Sequence, residues 1–364
     1  AAPRRRQADP ETMAGSGTPL RVHVAGLGLI GGSVALAARE RLGAVVTGED
    51  ADDHVAREAT EAGVTAAVAD SAPDVVVVAT PVPAIAATVA TMLDRFPDAA
   101  VTDVGSTKSA LAAAGFGSRY VGGHPMAGAE VSGLRHARAD LFAGATWFLT
   151  PRLESDGVLL ERLHRFVTGI GASPVVLDPD EHDRLMSAFS HLPHVIANVL
   201  AGRAVAALGG ERRPMVGPSF RDATRVAGAN PPLWAGIYEA NRDALVADID
   251  GVIADLRSAR ELIAGGATAE IESWQAAATE ARTRLGELGV AAGASARVRA
   301  IVPNRPGVVA ELTITLGRAG INIKDMSLQP AADNRSGQVT VWVDEDREDE
   351  ARALVEAVAG SASS

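Results

Sequence analysis

The sequence predicts an α/β protein of three folded parts: a doubly wound parallel sheet, an all-helical domain and a small ferredoxin-like unit. Three observations carry this. Up to about residue 178, short apolar runs alternate with helical stretches, as buried parallel strands in βαβ units do. Beyond Asp178 the strand signals stop, and long stretches rich in Ala, Leu and Glu carry helical spacing. After a Gly/Ala/Ser stretch at 289–296, strand-like and helical segments return in an order that approaches βαββαβ. The expected boundaries are 1–19 for a disordered extension, 20–178 for the first domain, 179–290 for the second and 296–364 for the third.

Each element follows from local composition. Residues 1–19 mix Pro, Gly, Arg and Ser without apolar periodicity and have nothing to set against their conformational entropy. Val22-His23-Val24-Ala25 is the first strand, residues 26–32 a glycine-rich turn and 33–42 the first helix. Further strands are expected at 44–47, 75–80, 100–103, 147–150 and 174–177. Helices are expected at 180–208, 232–262 and 268–288. In the third part, 298–302, 321–328 and 338–343 are strand-like, with helices at 307–319 and 348–359; a sixth element, one more strand, is expected at the end of the chain or is lost from it. The Gly/Ala/Ser stretch before this part predicts a linker that permits independent motion.

Composition narrows the function classes. A chain of 364 residues with 47% hydrophobic content is long enough for two or three cores. A formal charge of -11 argues against a nucleic-acid-binding face, which needs clustered Lys and Arg. With no cysteine there is no thiol nucleophile, disulfide framework or thiolate metal site, so redox chemistry needs a bound cofactor. No apolar run approaches the ~18 residues of a membrane span, and Arg4, Arg5 and Arg6 lead into polar sequence rather than a signal-peptide core. The expectation is a soluble, cytoplasmic protein whose partners are small molecules, without nucleic acid or membrane.

The first motif is Gly26-Leu27-Gly28-Leu29-Ile30-Gly31, between a strand and a helix. Its glycines allow a tight turn, close approach of a pyrophosphate and dense helix packing. Asp50 follows the second strand, near the spacing at which an acid meets ribose hydroxyls, and its charge favours NAD over a 2′-phosphorylated cofactor. Thr80-Pro81 and the segment from Asp103 to Lys108 lie at carboxyl ends of strands, where such sheets bind ligands. Ser106 and Thr107 have two readings, capping of the following helix and contact with ligand.

Tyr120-Val121 leads into a glycine-rich loop, Gly122-Gly123-His124-Pro125, in which His124 can accept a proton near neutral pH. A loop histidine taken alone is more often structural. His191 and His194, three apart in a helical run, share a face; a metal site is the rival reading, but no third ligand joins them at helical spacing. Arg221 and Arg225 flank Asp222 ahead of a helix entered through Pro231-Pro232 and carrying Trp234. Such a cluster suits carboxylate binding, or is a solvated face. Only two of the 34 basic residues are lysines, Lys108 and Lys324.

In this order, GLGLIGGS, the acid after strand two, DVGSTK, GGHPMAGAE, SHLPH and FRDATR…W resemble the prephenate/arogenate dehydrogenase family over about residues 20–290. The resemblance implies a Rossmann-type NAD-binding domain and a helical dimerisation domain, with substrate between that domain and the nicotinamide. It implies that His124 is catalytic, that Ser106 holds the same substrate hydroxyl, and that Arg225 binds a carboxylate. Glu130 and His194 match further active-site positions, His191 is a further substrate-binding candidate, and Asp222 matches a residue that in relatives can reach across the dimer. Two departures touch recognition of the side-chain carboxylate: Ala129 stands where many relatives have Thr, and Gly217-Pro218-Ser219 replaces a run of glycines. The third part, with Asn304-Arg305-Pro306-Gly307 before a helix and Gly320-Ile321-Asn322-Ile323 after it, resembles an ACT domain. That implies an aromatic amino-acid effector near Asn304, Gly307 and Asn322, against the alternative of a scaffold without ligand.

The implied activity is NAD-dependent oxidative decarboxylation of prephenate by a homodimer, with arogenate as the alternative substrate. A β-hydroxyacid dehydrogenase or imine reductase is the rival enzyme. The first of these is expected to use a lysine on the helical domain, where this chain has none. From another class, a non-catalytic amino-acid sensor would use NAD and the third part only as ligand sites.

Overall fold

The computed structural model describes residues 19–66, 72–128, 131–208, 217–288, 295–303, 305, 307–323, 325–330 and 336–360. The chain forms two compact units, one of residues up to 179 with 297–343 and 347–364, the other of 180–296 with 344–346.

The first unit opens with β1 (Arg21–Ala25), α1 (Leu29–Leu42), β2 (Val45–Glu49), α2 (Asp53–Glu61), β3 (Val75–Val78), α3 (Val82–Arg95) and β4 (Ala100–Asp103). These strands form a parallel sheet in the order β2-β1-β3-β4. β3 and β4 are buried along their whole length, and β3 is accordingly a continuous run of four valines rather than an alternating strand. Helix α1 stops at Gly43, whose φ of 61° gives the left-handed cap a glycine adopts without strain.

The second half of this domain departs from the expected all-parallel pattern. After α4 (Ser109–Ala113) come β5 (Gly122–Pro125), β6 (Thr146–Thr150), α5 (Gly157–Gly169) and β7 (Ser173–Val176). β5 and β6 are antiparallel, β6 and β7 parallel. A parallel bridge between Val101 and Tyr120 links this second sheet to β4. The segment expected to be a glycine-rich loop around His124 is therefore a buried strand. Strand propensity misses it because glycine weakens a strand; here glycine is required by space. A Cβ at Gly122 would lie 2.4 Å from Thr150 Oγ1, and one at Gly123 2.4 Å from the Asp103 carbonyl oxygen.

The helical unit holds α6 (Pro179–Met186), which starts at its border, then α7 (Leu192–Leu208), α8 (Pro218–Thr224), α9 (Pro231–Ala240), α10 (Arg242–Gly265) and α11 (Thr268–Leu288). The run expected at 180–208 is interrupted by a π-helical turn at Ser187–His191. Pro193 follows directly and has no N–H for the Phe189 carbonyl four residues back, so the helix widens there. The run expected at 232–262 is broken at Asn241, whose side chain is committed elsewhere.

The C-terminal segment contributes β8 (Ser295–Pro303), α12 (Val308–Arg318), β9 (Asp325–Pro330), β10 (Ser336–Asp344) and α13 (Glu348–Gly360). Among the described residues its sheet has three strands in the order β8-β10-β9, with β9 and β10 antiparallel. The strand expected to start at 321 starts at Asp325, although Ile321 and Ile323 are already buried.

This part is not free of the first domain; both belong to one unit and one apolar core. A Cβ at Gly157 of α5 would lie 2.7 Å from Val309 Cγ2, and one at Gly317 would lie 2.3 Å from the Val176 carbonyl oxygen. The Leu328 N–H donates to Glu161 Oε1 at 3.3 Å, and Arg318 pairs with Asp178 at 3.2 Å. Independent motion, expected from the Gly/Ala/Ser stretch, gives way to close packing, because apolar faces of α5 and α12 are buried on each other.

Candidate active site

The glycine turn divides its labour. Gly26 has φ 95°, and a Cβ there would strike Ala79 backbone at 2.6 Å, so this position needs glycine for both conformation and space. A Cβ at Gly31 would lie 1.9 Å from the Gly26 carbonyl oxygen, so the turn folds against the first turn of α1. A Cβ at Gly28 meets nothing within 4 Å. The chain needs no glycine there for its own packing, and the open space in front of the helix N-terminus is what a pyrophosphate would occupy. Leu27, Leu29 and Ile30 complete the turn, with Leu27 and Leu29 in the core.

Asp50 closes the same turn from β2. Its Oδ2 accepts the Leu27 N–H at 2.8 Å and its Oδ1 the Asp52 N–H at 3.0 Å. A carboxylate offers about four lone-pair directions, so acceptor capacity remains for hydroxyl donors. Thr80 stands beside Gly26, with Pro81 next, where β3 gives way to α3, and the Thr80 hydroxyl is buried without a hydrogen-bond partner among the described residues. Such a hydroxyl is costly unless something at the site pairs with it. These groups fit a bound dinucleotide.

Ser106 lies in the turn after β4, half-buried. Neither it nor Thr107 caps α4, whose N-cap position is Lys108, without a side-chain cap; of the two readings, capping is not what the fold uses. His124 sits on β5, buried at 8% exposure, opposite Phe148 of β6, with ring centroids 6.2 Å apart. The two residues are tied through Asp103 at the end of β4. Asp103 Oδ1 accepts the Gly105 N–H at 2.7 Å and the Lys108 ammonium; its Oδ2 accepts the Tyr120 hydroxyl at 2.7 Å and the Gly123 N–H at 3.2 Å. Asp103 and Lys108 are a fully buried ion pair. Sequence reasoning singled out neither Asp103 nor Tyr120; the signal was a lysine in a chain that almost never uses one.

In the helical unit, His191 and His194 both meet Trp234. Its ring stacks on His194 at 3.5 Å and stands edge-on to His191 at 6.0 Å. His191 is buried, and desolvation drives its pKa down to about 4, so the ring is neutral. Its Nδ1 accepts from the Asn241 amide at 3.1 Å, and the same amide donates to the Asp183 carbonyl at 2.8 Å. That explains the break before α10. The pKa of His194 is also lowered, first by desolvation and then by the Arg225 guanidinium. Arg225 opens a 3₁₀ turn after α8, and both it and Asp222 are exposed. His191, His194, Trp234 and Arg225 thus form one group; Asn241 was not foreseen.

Glu130 and Asn304 lie outside the described residues, as does Ala129. Gly307 has φ 85° and caps α12, and a Cβ there would lie 1.8 Å from the Leu153 carbonyl oxygen, so this turn faces the first domain. A cavity of about 230 Å³ beside it is lined by Arg305, Val308 and Ser336 from one side and Ser118, Glu154 and Asp156 from the other. The Asn322 side-chain oxygen is buried without a hydrogen-bond partner among the described residues.

The chain matches the model of the prephenate dehydrogenase nucleotide-binding domain over residues 34–176, of the prephenate dehydrogenase dimerization domain over 178–276 and of the ACT domain over 296–360. It is 32% identical to a prephenate dehydrogenase of Bacillus subtilis over 350 residues, covering 89% of this chain and 92% of the relative. It is 31% identical to a cyclohexadienyl dehydrogenase of Zymomonas mobilis, covering 67% of this chain and 88% of the relative. Among solved structures, prephenate dehydrogenase from Aquifex aeolicus, in complex with hydroxyphenyl propionate and NAD+, superposes with a TM-score of 0.65 at 28% identity, covering 74% of this chain and 99% of that one. Synechocystis arogenate dehydrogenase gives 0.65 at 27% identity, covering 73% of this chain and 100% of that one.

Proposed function

The chain belongs to the prephenate dehydrogenase family, and from that premise we propose how its residues share the oxidation and decarboxylation of prephenate to 4-hydroxyphenylpyruvate with NAD. The observation that carries the assignment is the pairing of His124 with the Ser106 turn through one buried carboxylate, in the domain that holds the dinucleotide turn.

Bound NAD supplies the hydride acceptor for the carbinol carbon of the substrate ring. The chain's own residues do the rest. The imidazole of His124 takes the hydroxyl proton as the carbon–hydrogen bond electrons leave, and the carbinol becomes a ring ketone. Ser106 hydrogen-bonds the same oxygen and holds it towards His124. The ketone is conjugated through the ring to the carbon bearing the carboxylate. The carbon–carboxylate bond then breaks, its electron pair enters the ring, carbon dioxide leaves, and the ketone oxygen regains a proton as a phenol. Aromatisation drives this last step, so the protein need only orient it.

Arg225 binds a substrate carboxylate, with a neutral His194 as hydrogen-bond partner beside it; His191, held by Asn241, sets the Trp234 ring on which His194 stacks. Glu130 and Asp222 are assigned to substrate recognition by motif position alone. Gly26 to Gly31, Asp50, Thr80 and Pro81 hold the cofactor. The exposed Ile253, Leu256, Ile263 and Trp274 on the two long helices α10 and α11 support a homodimer through this unit. An aromatic amino acid acting at Asn304, Gly307 and Asn322 is supported by the cavity lined by Arg305 and Val308 and by the Asn322 oxygen, unpartnered among the described residues. Among the described residues no helix is long and apolar enough to cross a membrane, and together with the absence of cysteine this supports a cytoplasmic location.

Steady-state assays with prephenate and arogenate, each with NAD and NADP, test the reading. NADH formation with prephenate and NAD is the expected outcome. Turnover of arogenate alone would assign the alternative substrate, and turnover of neither would remove the activity.

A further inference from the structure

We propose that Asp103 and Tyr120 are positioning residues that hold Ser106 and His124 in register by clamping the backbone on either side of the reacting groups. The inference rests on the roles given to His124 and Ser106 above, and on geometry that those roles do not themselves require.

Two separate pieces of chain must be set against each other for a serine hydroxyl and an imidazole to meet one substrate oxygen. One is the turn after β4; the other is β5. Both are anchored on the Asp103 carboxylate, which takes the Gly105 N–H, one residue before Ser106, and the Gly123 N–H, one residue before His124. The carboxylate is fully buried and paired with the Lys108 ammonium. The Tyr120 hydroxyl fixes the same oxygen that holds Gly123. Burial, then the Asp103 charge, pushes the Tyr120 pKa well up, so it remains a donor at any working pH. The paired glycines are part of the device. A Cβ at Gly122 would lie 2.9 Å from the Lys108 side chain and one at Gly123 2.6 Å from Thr102 Oγ1, so β5 lies directly on the clamp. Displacement of a reacting group by about 1 Å costs on the order of 100-fold in rate, which gives such a clamp its leverage.

Tyr120→Phe removes one hydroxyl and keeps the ring, which packs edge-on against Phe116 at 5.0 Å, so the variant should fold. The expected result is a fall in kcat of about tenfold with the Michaelis constant for prephenate and the affinity for NAD nearly unchanged. Faster amide hydrogen exchange at both Gly105 and Gly123 should accompany it. A second variant, Asp103→Asn with Lys108→Met, removes the buried charges together and should lose more turnover than Tyr120→Phe. The proposal is overturned if kcat of Tyr120→Phe stays within about twofold of the parent, or if it falls only in step with NAD affinity, as general loosening of the domain would produce. His124→Asn, run alongside, separates the two levels. Loss of turnover there with none in Tyr120→Phe rejects the clamp and spares the function, whereas retained turnover in His124→Asn rejects the function reading itself.

Discussion

His124 and Arg225 belong to regions built on opposite principles. His124 lies on a buried strand whose neighbours are fixed by a carboxylate with four donors, and even its glycines are dictated by contact. Arg225 stands exposed at a 3₁₀ turn after the short helix α8, close enough to His194 for its charge to lower that ring's pKa. The difference matches the demands of the two roles proposed for them. Proton transfer needs donor and acceptor within hydrogen-bond reach, so the group that does it is held rigidly. Attraction of a carboxylate to a guanidinium falls off gently with distance, so a group proposed for that role can sit on an exposed surface turn and still contribute.

The comparison breaks first at His124. His124→Asn should lower kcat by about 100- to 10,000-fold with NAD affinity nearly unchanged, as read by steady-state kinetics and NADH fluorescence titration. Turnover near that of the parent would put the rigid region out of the chemistry.

His191 tests whether the helical group is as rigid beneath its surface. Its folded pKa is about 4 against an ordinary 6.5, so between those values the unfolded chain binds a proton that the folded chain does not. Stability is therefore full above pH 6.5 and is lost as pH falls towards 4, by roughly 3 kcal/mol at 1.36 kcal/mol per unit. Urea unfolding of the parent and of His191→Gln at pH 7 and 4.5 should show a smaller loss in the variant. Equal losses would mean that His191 is not desolvated.

Arg225→Ala should raise the Michaelis constant for prephenate by about 10- to 100-fold with a smaller effect on kcat, since a charged hydrogen bond is worth about 1.5 to 3 kcal/mol. A fall in kcat of the size seen for His124→Asn would erase the contrast between the two regions.

The smallest effect is expected at Asp50, half committed already to Leu27 and Asp52. Asp50→Ala should weaken NAD by about tenfold, the low end of a charged hydrogen bond, and NADP less. Competition binding with both dinucleotides measures it, and a parent that prefers NADP would contradict the assignment of Asp50.

Much of this was legible one residue at a time. The glycine turn, the acid after β2, the helical middle and the ferredoxin-like end all follow from short-range pattern, and α11 begins and ends where its spacing says. The histidine strand β5 was not, because Gly122 and Gly123 advertise a loop, and only their neighbours Thr150 and Asp103 explain them. Neither was Asn241, an unremarkable residue inside an apparent helix until its amide is seen to serve both His191 and Asp183.

The sequence by itself determined most of the elements, the order of the three parts and the residue types available for binding and proton transfer, since periodicity and turn chemistry are local properties. The tertiary structure alone decided that Lys108 is a buried counter-ion, that one aspartate serves a turn and a strand, and that the C-terminal part packs against α5 instead of moving freely. Each of these depends on groups from separate elements competing for the same buried space and the same hydrogen bonds, and no local pattern records the outcome of that competition.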